Sequence, residues 1–277
     1  MFLLLPSSPQ LIIGIIVIVA LSILSVRVRA LDAPGALTGA LISLASLLAG
    51  GLSWLIMIIA FVLIGSLLTR FRYEYKMKLG SAQEKGGRRS WPNALANGLV
   101  GGIVALAEVV SNHPVFAVVY LASISAAMSD TIATEIGLLS SSKPRLIYNP
   151  RRIVAPGVSG GVSGLGELAG LLSALGLTGF GIVIGVFSSG SFLVWPLLAS
   201  VVLAAFIAMN LDSLLGATIQ GINRCVVCNV KTESLYHHGK STVTVKGIRY
   251  MENNMVNLTA TIIAAALSAA IYLVLVP

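Results

Sequence analysis

The chain is 277 residues long, 56% hydrophobic and 10% charged, with a net charge of +8 and a mean hydropathy of +0.94. Soluble domains carry roughly a quarter of their residues as charges, so this composition excludes a soluble globular protein, and with it a nucleic-acid-binding face as the reason for the positive charge. What remains is an all-α polytopic integral membrane protein, read as one transmembrane domain over residues 1–277.

Apolar runs near 20 residues long mark bilayer spans. Eight are expected, at about 11–26, 34–50, 52–69, 94–111, 115–140, 157–186, 191–220 and 255–276. No basic segment precedes the first, so it is expected to remain as a span and not to be removed as a signal peptide. The sixth and seventh are overlong and glycine-rich, which predicts a tilted, broken or re-entrant helix. All 18 Lys and Arg residues follow the first, third, fifth or seventh span, chiefly in loops 70–93, 141–156 and 221–254. The positive-inside rule makes that side cytoplasmic and puts both termini outside, as in a cell-membrane protein.

Residues 70–79 alternate charged and apolar side chains, and read as an extended piece or as a helix lying on the anionic inner leaflet. Arg88 and Arg89 precede the fourth span, where Asn93 and Asn97 stand one turn apart and can face one cavity. The fifth span carries Asp130 and Glu135, the sixth Glu167 and the seventh Asp212, all in the halves nearest the basic loops. Carboxylates at bilayer depth are costly and usually mark function. Asp130 and Glu135 point about 140° apart on an ideal helix, so one ion can hold both only across a break or a wide cavity. Asp212, Gly216 and Gln220 form a polar stripe at four-residue steps. Between the fifth and sixth spans, Arg151 and Arg152 lead into Gly157-Val158-Ser159-Gly160-Gly161, whose side-chain-free backbone can approach phosphate oxygens.

Four carboxylates beneath a layer of cations suit a magnesium–polyphosphate complex. Magnesium takes a few carboxylates plus phosphate oxygens, and Lys or Arg neutralise the rest. Further along, Cys225 and Cys228, with His237 and His238 nearby, invite a zinc reading. The spacing fits no familiar finger and one Cys-x-x-Cys pair is a weak signal, so the pair is read as incidental. The flanking segments predict a small cytoplasmic β-hairpin within 221–252, turning at His238-Gly239-Lys240. The glycosylation pattern at Asn257 falls at an inner membrane end and is dismissed.

In order along the chain stand Arg89-x-Trp91-x-x-x-Leu95-Ala96-Asn97-Gly98, then Ser129-Asp130-Thr131-x-Ala133-Thr134-Glu135-Ile136-Gly137, then the glycine loop, then Asp212-Ser213-Leu214-Leu215-Gly216-Ala217-Thr218-Ile219-Gln220. This set resembles the integral-membrane family of plant phytyl-phosphate kinase and transmembrane protein nineteen, although that family's loop usually reads Gly-Thr-Asn-Gly-Gly. The resemblance implies phosphoryl transfer from a nucleoside triphosphate, often CTP, to an isoprenoid monophosphate. On that basis Asp130, Glu135 and Asp212 are expected to hold one or two Mg2+ ions, and Glu167 to add to or orient that shell. Arg88, Arg89, Arg151, Arg152, Asn97 and the loop residues Gly157, Ser159, Gly160 and Gly161 are expected to bind phosphate. The lipid tail would enter between helices, and a homo-oligomer is left open. Two rival readings use the same acids: a nucleotidyltransferase making a CDP-lipid, and a cation- or proton-coupled transporter.

Overall fold

The computed structural model describes residues 6–79, 87–187, 194–232 and 234–276. Lys85 and the expected start of the seventh span lie outside them. Seven helices are long and apolar enough to cross a membrane: α1 (Ser8–Arg27), α2 (Ala33–Arg70), α4 (Trp91–Ser111), α5 (Pro114–Gly137), α6 (Gly164–Val183), α7 (Val194–Thr218) and α8 (Asn253–Leu275). A short α3 (Tyr73–Lys78) follows α2. The protein is thus an all-α polytopic membrane protein.

Helix α2 makes two of the expected crossings. Its 38 residues would reach about 57 Å if straight, nearly twice a bilayer core of about 30 Å. The helix is broken at Gly50 (φ −119°, ψ 18°) and Gly51 (φ 62°, ψ −149°), and Gly51 holds a backbone conformation that residues with a Cβ rarely adopt. The chain turns back there. Arg70, its last residue, donates through Nη2 to Val28 O at 2.6 Å, just ahead of the residue that starts it. The start itself is fixed by Asp32, whose carboxylate caps the Gly35 N–H at 2.7 Å. Two spans in α2 plus six other long helices give the eight expected, with the expected parity.

That parity separates the two ends. At one end, Ser53 Oγ and Trp54 Nε1 donate to Ile184 O and Val186 O, and Tyr120 Oη donates to Trp54 O at 2.6 Å. At the other end lie the loops holding the described Lys and Arg residues. Between the ends, α5 is the central post. Every residue from Ala117 to Ser129 is buried, large ones such as Tyr120 and Ile124 as well as the alanines and serines, because α2, α4, α6, α7 and α8 pack around it. Helix α1 stays peripheral, with Ile12 and Ile16 turned outward to lipid.

The sequence reading errs most in the loops. Residues 157–163, expected inside an overlong sixth span, form a turn and a strand instead, and α6 is an ordinary 20-residue helix. The strands β1 (Arg145–Leu146), β2 (Asn149–Ile153) and β3 (Gly161–Val162) make an unforeseen sheet in the order β2-β1-β3. After α7, β4 (Ile222–Arg224), β5 (Lys231–Thr232) and β8 (Val243–Lys246) pair in the order β5-β4-β8. A separate hairpin joins β6 (Tyr236–His237) to β7 (Lys240–Ser241). Its turn falls at His238 and Gly239, both at positive φ, as a two-residue type I′ turn requires. The turn position was legible; the three-stranded sheet beside it was not. Residues 73–78 of the alternating 70–79 segment fold as the helix α3, one of the two forms expected, with Lys76 buried.

Candidate active site

One polar cavity, about 210 Å³ in volume, opens where the basic loops meet the helix ends. Arg89, Asn97, Asp130, Glu135, Gly157, Ser159, Gly160, Gly161, Glu167 and Asp212 all line it, so ten of the sequence-selected residues converge on one space. The volume is below the roughly 300–1,000 Å³ of pockets that enclose a drug-sized ligand. It suits a polar head group whose remainder extends outside.

The helix directions explain the charge layout. Helices α4, α6 and α8 all begin at this end, so their unpaired N–H groups and positive dipole ends face the cavity. Ser163 caps α6 by accepting the Gly166 N–H at 3.2 Å, and Asn93 and Asn97 lie in the first turns of α4. Into this positive rim α5 brings Asp130 and α7 brings Asp212, two acids near enough to repel each other. Asp212 is buried. With the Asn257 amide oriented to satisfy its neighbours, its nitrogen donates to Asp212 Oδ2 and Asn253 O, each at 3.1 Å. Glu167 is half-buried on α6, and Asn210 on the neighbouring α7 donates to Phe206 O at 3.0 Å.

The glycine loop is locked to α7. Gly157 and Gly160 have φ of 79° and 78°, and a Cβ on Gly160 would stand 2.2 Å from Ala217 Cβ and 2.7 Å from Ser213 O. No other residue fits there. Ser159 Oγ donates to Gln220 Oε1 at 2.7 Å, while Gly216 leaves room for that hydroxyl. The stripe of Asp212, Gly216 and Gln220 is therefore the seat of the loop as well as the carrier of an acid.

Arg89 is held by its backbone, which exchanges hydrogen bonds with Ala30 and Asp32 at 2.9 and 3.0 Å. Its guanidinium lies over Phe61, 5.8 Å from the ring centre, and against Gly65. Burial pushes its pKa down and the neighbouring Glu135 and Asp130 push it back up; a guanidinium stays charged throughout.

Four of the expected residues are placed differently from the rest. Arg88, Arg151 and Arg152 do not line the cavity: Arg88 Nε donates to Leu31 O at 3.2 Å, and both others are exposed on β2. Glu135 does line it, but it is already paired. Lys76 Nζ donates to Glu135 Oε2 at 2.5 Å and to Leu68 O at 2.7 Å, with both side chains buried. A carboxylate neutralised this way is a poor metal ligand, which resolves the angular problem of Asp130 and Glu135 on one helix. Sequence reasoning also missed Lys76, Asn253 and Asn257. The asparagines had a signal, since Asn253 and Asn257 open α8 at the same four-residue spacing as Asn93 and Asn97 open α4. Lys76 had none.

The Lys76–Glu135 pair yields a test of this geometry. Lys76→Met leaves a buried carboxylate alone, which costs about 3–5 kcal/mol. Lys76→Met combined with Glu135→Leu should recover most of the loss in thermal unfolding in detergent. A double variant no more stable than the single one would contradict the pairing.

The chain is similar to several known proteins. A 174-residue stretch is 34% identical to an uncharacterized membrane protein of Methanocaldococcus jannaschii, covering 62% of this chain and 71% of the relative. Protein PGR of Arabidopsis thaliana is 28% identical over 95% of this chain and 97% of its own length. The chloroplastic Protein VTE6 of the same plant is 27% identical over 64% of this chain and 54% of its length. No solved structure matches. The model of the integral membrane protein family DUF92 matches residues 16–265, and the chain belongs to that family.

Proposed function

We propose that this protein is a membrane-bound kinase that transfers a phosphoryl group from a nucleoside triphosphate to an isoprenoid monophosphate, giving the diphosphate. The observation that carries the reading is the meeting of Asp130 and Asp212 in a cavity rimmed by three helix N-termini and Arg89. Acids alone would suit a cation path, and cations alone an anion site. Their pairing in one small space suits a divalent ion with its polyphosphate. The preference for CTP rests on the family resemblance alone.

The donor set fits Mg2+, since it consists of hard oxygens: Asp130, Asp212 and Glu167, with Asn93 Oδ1 buried and without a hydrogen-bond partner. Bound there, the ion would supply charge neutralisation across the donor's phosphates. The chain's own groups do the rest. Arg89 offers a planar fork to phosphate oxygens, and the starts of α4, α6 and α8 add N–H dipoles. The rigid glycine loop keeps the backbone close and water out. The acceptor phosphate is already anionic, so positioning and charge stabilisation suffice. A largely apolar groove of about 250 Å³ lies along α7, formed by Ile147, Phe206, Ile207, Asn210, Leu211 and Leu214. In this reading it takes the isoprenoid tail.

The test is incubation of the purified protein with phytyl or geranylgeranyl monophosphate, Mg2+ and each nucleoside triphosphate labelled at the α- or γ-phosphate. Label from the γ-position in a lipid diphosphate is expected; α-label in the lipid would show a nucleotidyltransferase, and no transfer would return the transporter reading. Asp130→Asn and Asp212→Asn should each lower turnover by orders of magnitude in protein that stays monodisperse. Arg89→Lys should lower kcat/KM at least about tenfold, a loss of about 1.4 kcal/mol, because lysine lacks the fork. Arg151→Lys and Arg152→Lys should act like the parent.

The basic end is proposed to face the cytoplasm. In intact cells an impermeant maleimide should label Asn112→Cys but reach Ser142→Cys only after permeabilisation. The reverse pattern would invert the orientation and move the site outside.

A further inference from the structure

The lobe between α7 and α8 has no apolar core. Among its described residues from Ile222 to Tyr250, the buried ones are Asn223, Cys225 and Thr242, and no aliphatic or aromatic side chain is among them. Val226, Val227, Val230, Val243, Val245 and Ile248 are exposed. Five short strands cannot hold a fixed shape by burial in this state, and small lobes without a core are commonly stapled by disulfides or metal.

Four side chains stand where such a staple would be. The ligand atoms of Cys225, Cys228, His237 and His238 lie within 4.8 Å of one another. The cysteines belong to the turn between β4 and β5, and the histidines to the turn between β6 and β7. Cys228 Sγ is 3.5 Å from His237 Nδ1, close to the edge of about 3.6 Å expected in a tetrahedron with Zn–S near 2.3 Å and Zn–N near 2.0–2.1 Å. Cys225 Sγ accepts the N–H groups of Val227 and Cys228 at 3.3 and 3.5 Å, a turn that presents sulfur as an acceptor. His238 has φ 53°, and the adjacent imidazoles meet edge to face with centres 4.3 Å apart.

We propose that Cys225, Cys228, His237 and His238 form a closed structural zinc site that clips the β6–β7 turn to the β4–β5 turn. Two thiolates and two imidazoles in a tetrahedral arrangement select zinc, and four protein ligands leave no open position for catalysis. The linkage to the membrane part is direct. Ile248 N donates to Ile219 O and Gly221 N to Met251 O, both at 2.9 Å, so the lobe ties the end of α7, which seats the glycine loop, to the start of α8, which carries Asn253 and Asn257. Sequence spacing hides the site because two of its ligands are adjacent in the chain, which no familiar finger uses.

The inference stands apart from the proposed kinase activity, and its readout is metal content. The full chain, purified in detergent without chelator, should contain about one zinc per chain by mass spectrometry of the elements. Cys225→Ser with Cys228→Ser should reduce this at least tenfold, and His237→Ala with His238→Ala at least several-fold. Because those variants can also fail to fold, exchange of Co2+ into the parent supplies a second readout: the intense visible bands of tetrahedral cobalt together with thiolate charge transfer. Zinc retained in the double-cysteine variant overturns the proposal. So does a parent chain that carries no zinc and gives no tetrahedral cobalt spectrum, or one whose two cysteines are joined in a disulfide.

Discussion

Two acids facing each other at the end of a membrane bundle set the terms for everything around them. Asp130 on α5 and Asp212 on α7 repel, and the surrounding medium screens charge poorly. Such a pair persists only where positive charge or polar partners are supplied from outside its own helices. The fold supplies them by alternation: helices that begin at the basic end bring dipole ends, the asparagines and Glu167, while those that finish there bring Asp130, Glu135 and Asp212. The same alternation gathers the described Lys and Arg residues at that end. The eight crossings, the glycine break in α2 that makes two of them, and the charge of the cavity are consequences of one arrangement.

The glycines do different work in different places. Gly50 and Gly51 let one 38-residue helix reverse, and so preserve the parity on which the site depends. Gly160 lets the loop press onto α7 beside Ser213 and Ala217, on the helix that carries Asp212. The central α5 transmits these positions because it touches nearly all other long helices. A side chain added at Gly160 would move the loop away from the acid it serves.

Most of the membrane architecture and much of the cavity were legible in the sequence, for reasons visible in particular residues. Hydropathy alone divides α2 at Gly50 and Gly51, and acids in apolar runs identify Asp130, Glu167 and Asp212. Where the reading failed, the cause was tertiary. Lys76 looks like one more basic loop residue, and only the path of α3 brings it to Glu135. Arg151 and Arg152 look like a phosphate clamp because they are near the glycine loop in the chain, yet the sheet β2-β1-β3 sets them outside the cavity. The histidine pair beside Cys225 and Cys228 had no recognisable spacing, and a hairpin with His238 at positive φ is what assembles it.

The most direct test of the central claim is electron paramagnetic resonance of Mn2+, standing in for Mg2+, with the purified protein and CTP. The account predicts that the parent immobilises Mn2+ in a nucleotide-dependent complex and that Asp130→Asn and Asp212→Asn each abolish it, while Arg151→Lys leaves it unchanged. Parent-like Mn2+ binding in both asparagine variants would contradict the account, since the two acids would then not be where the metal and its phosphates are held.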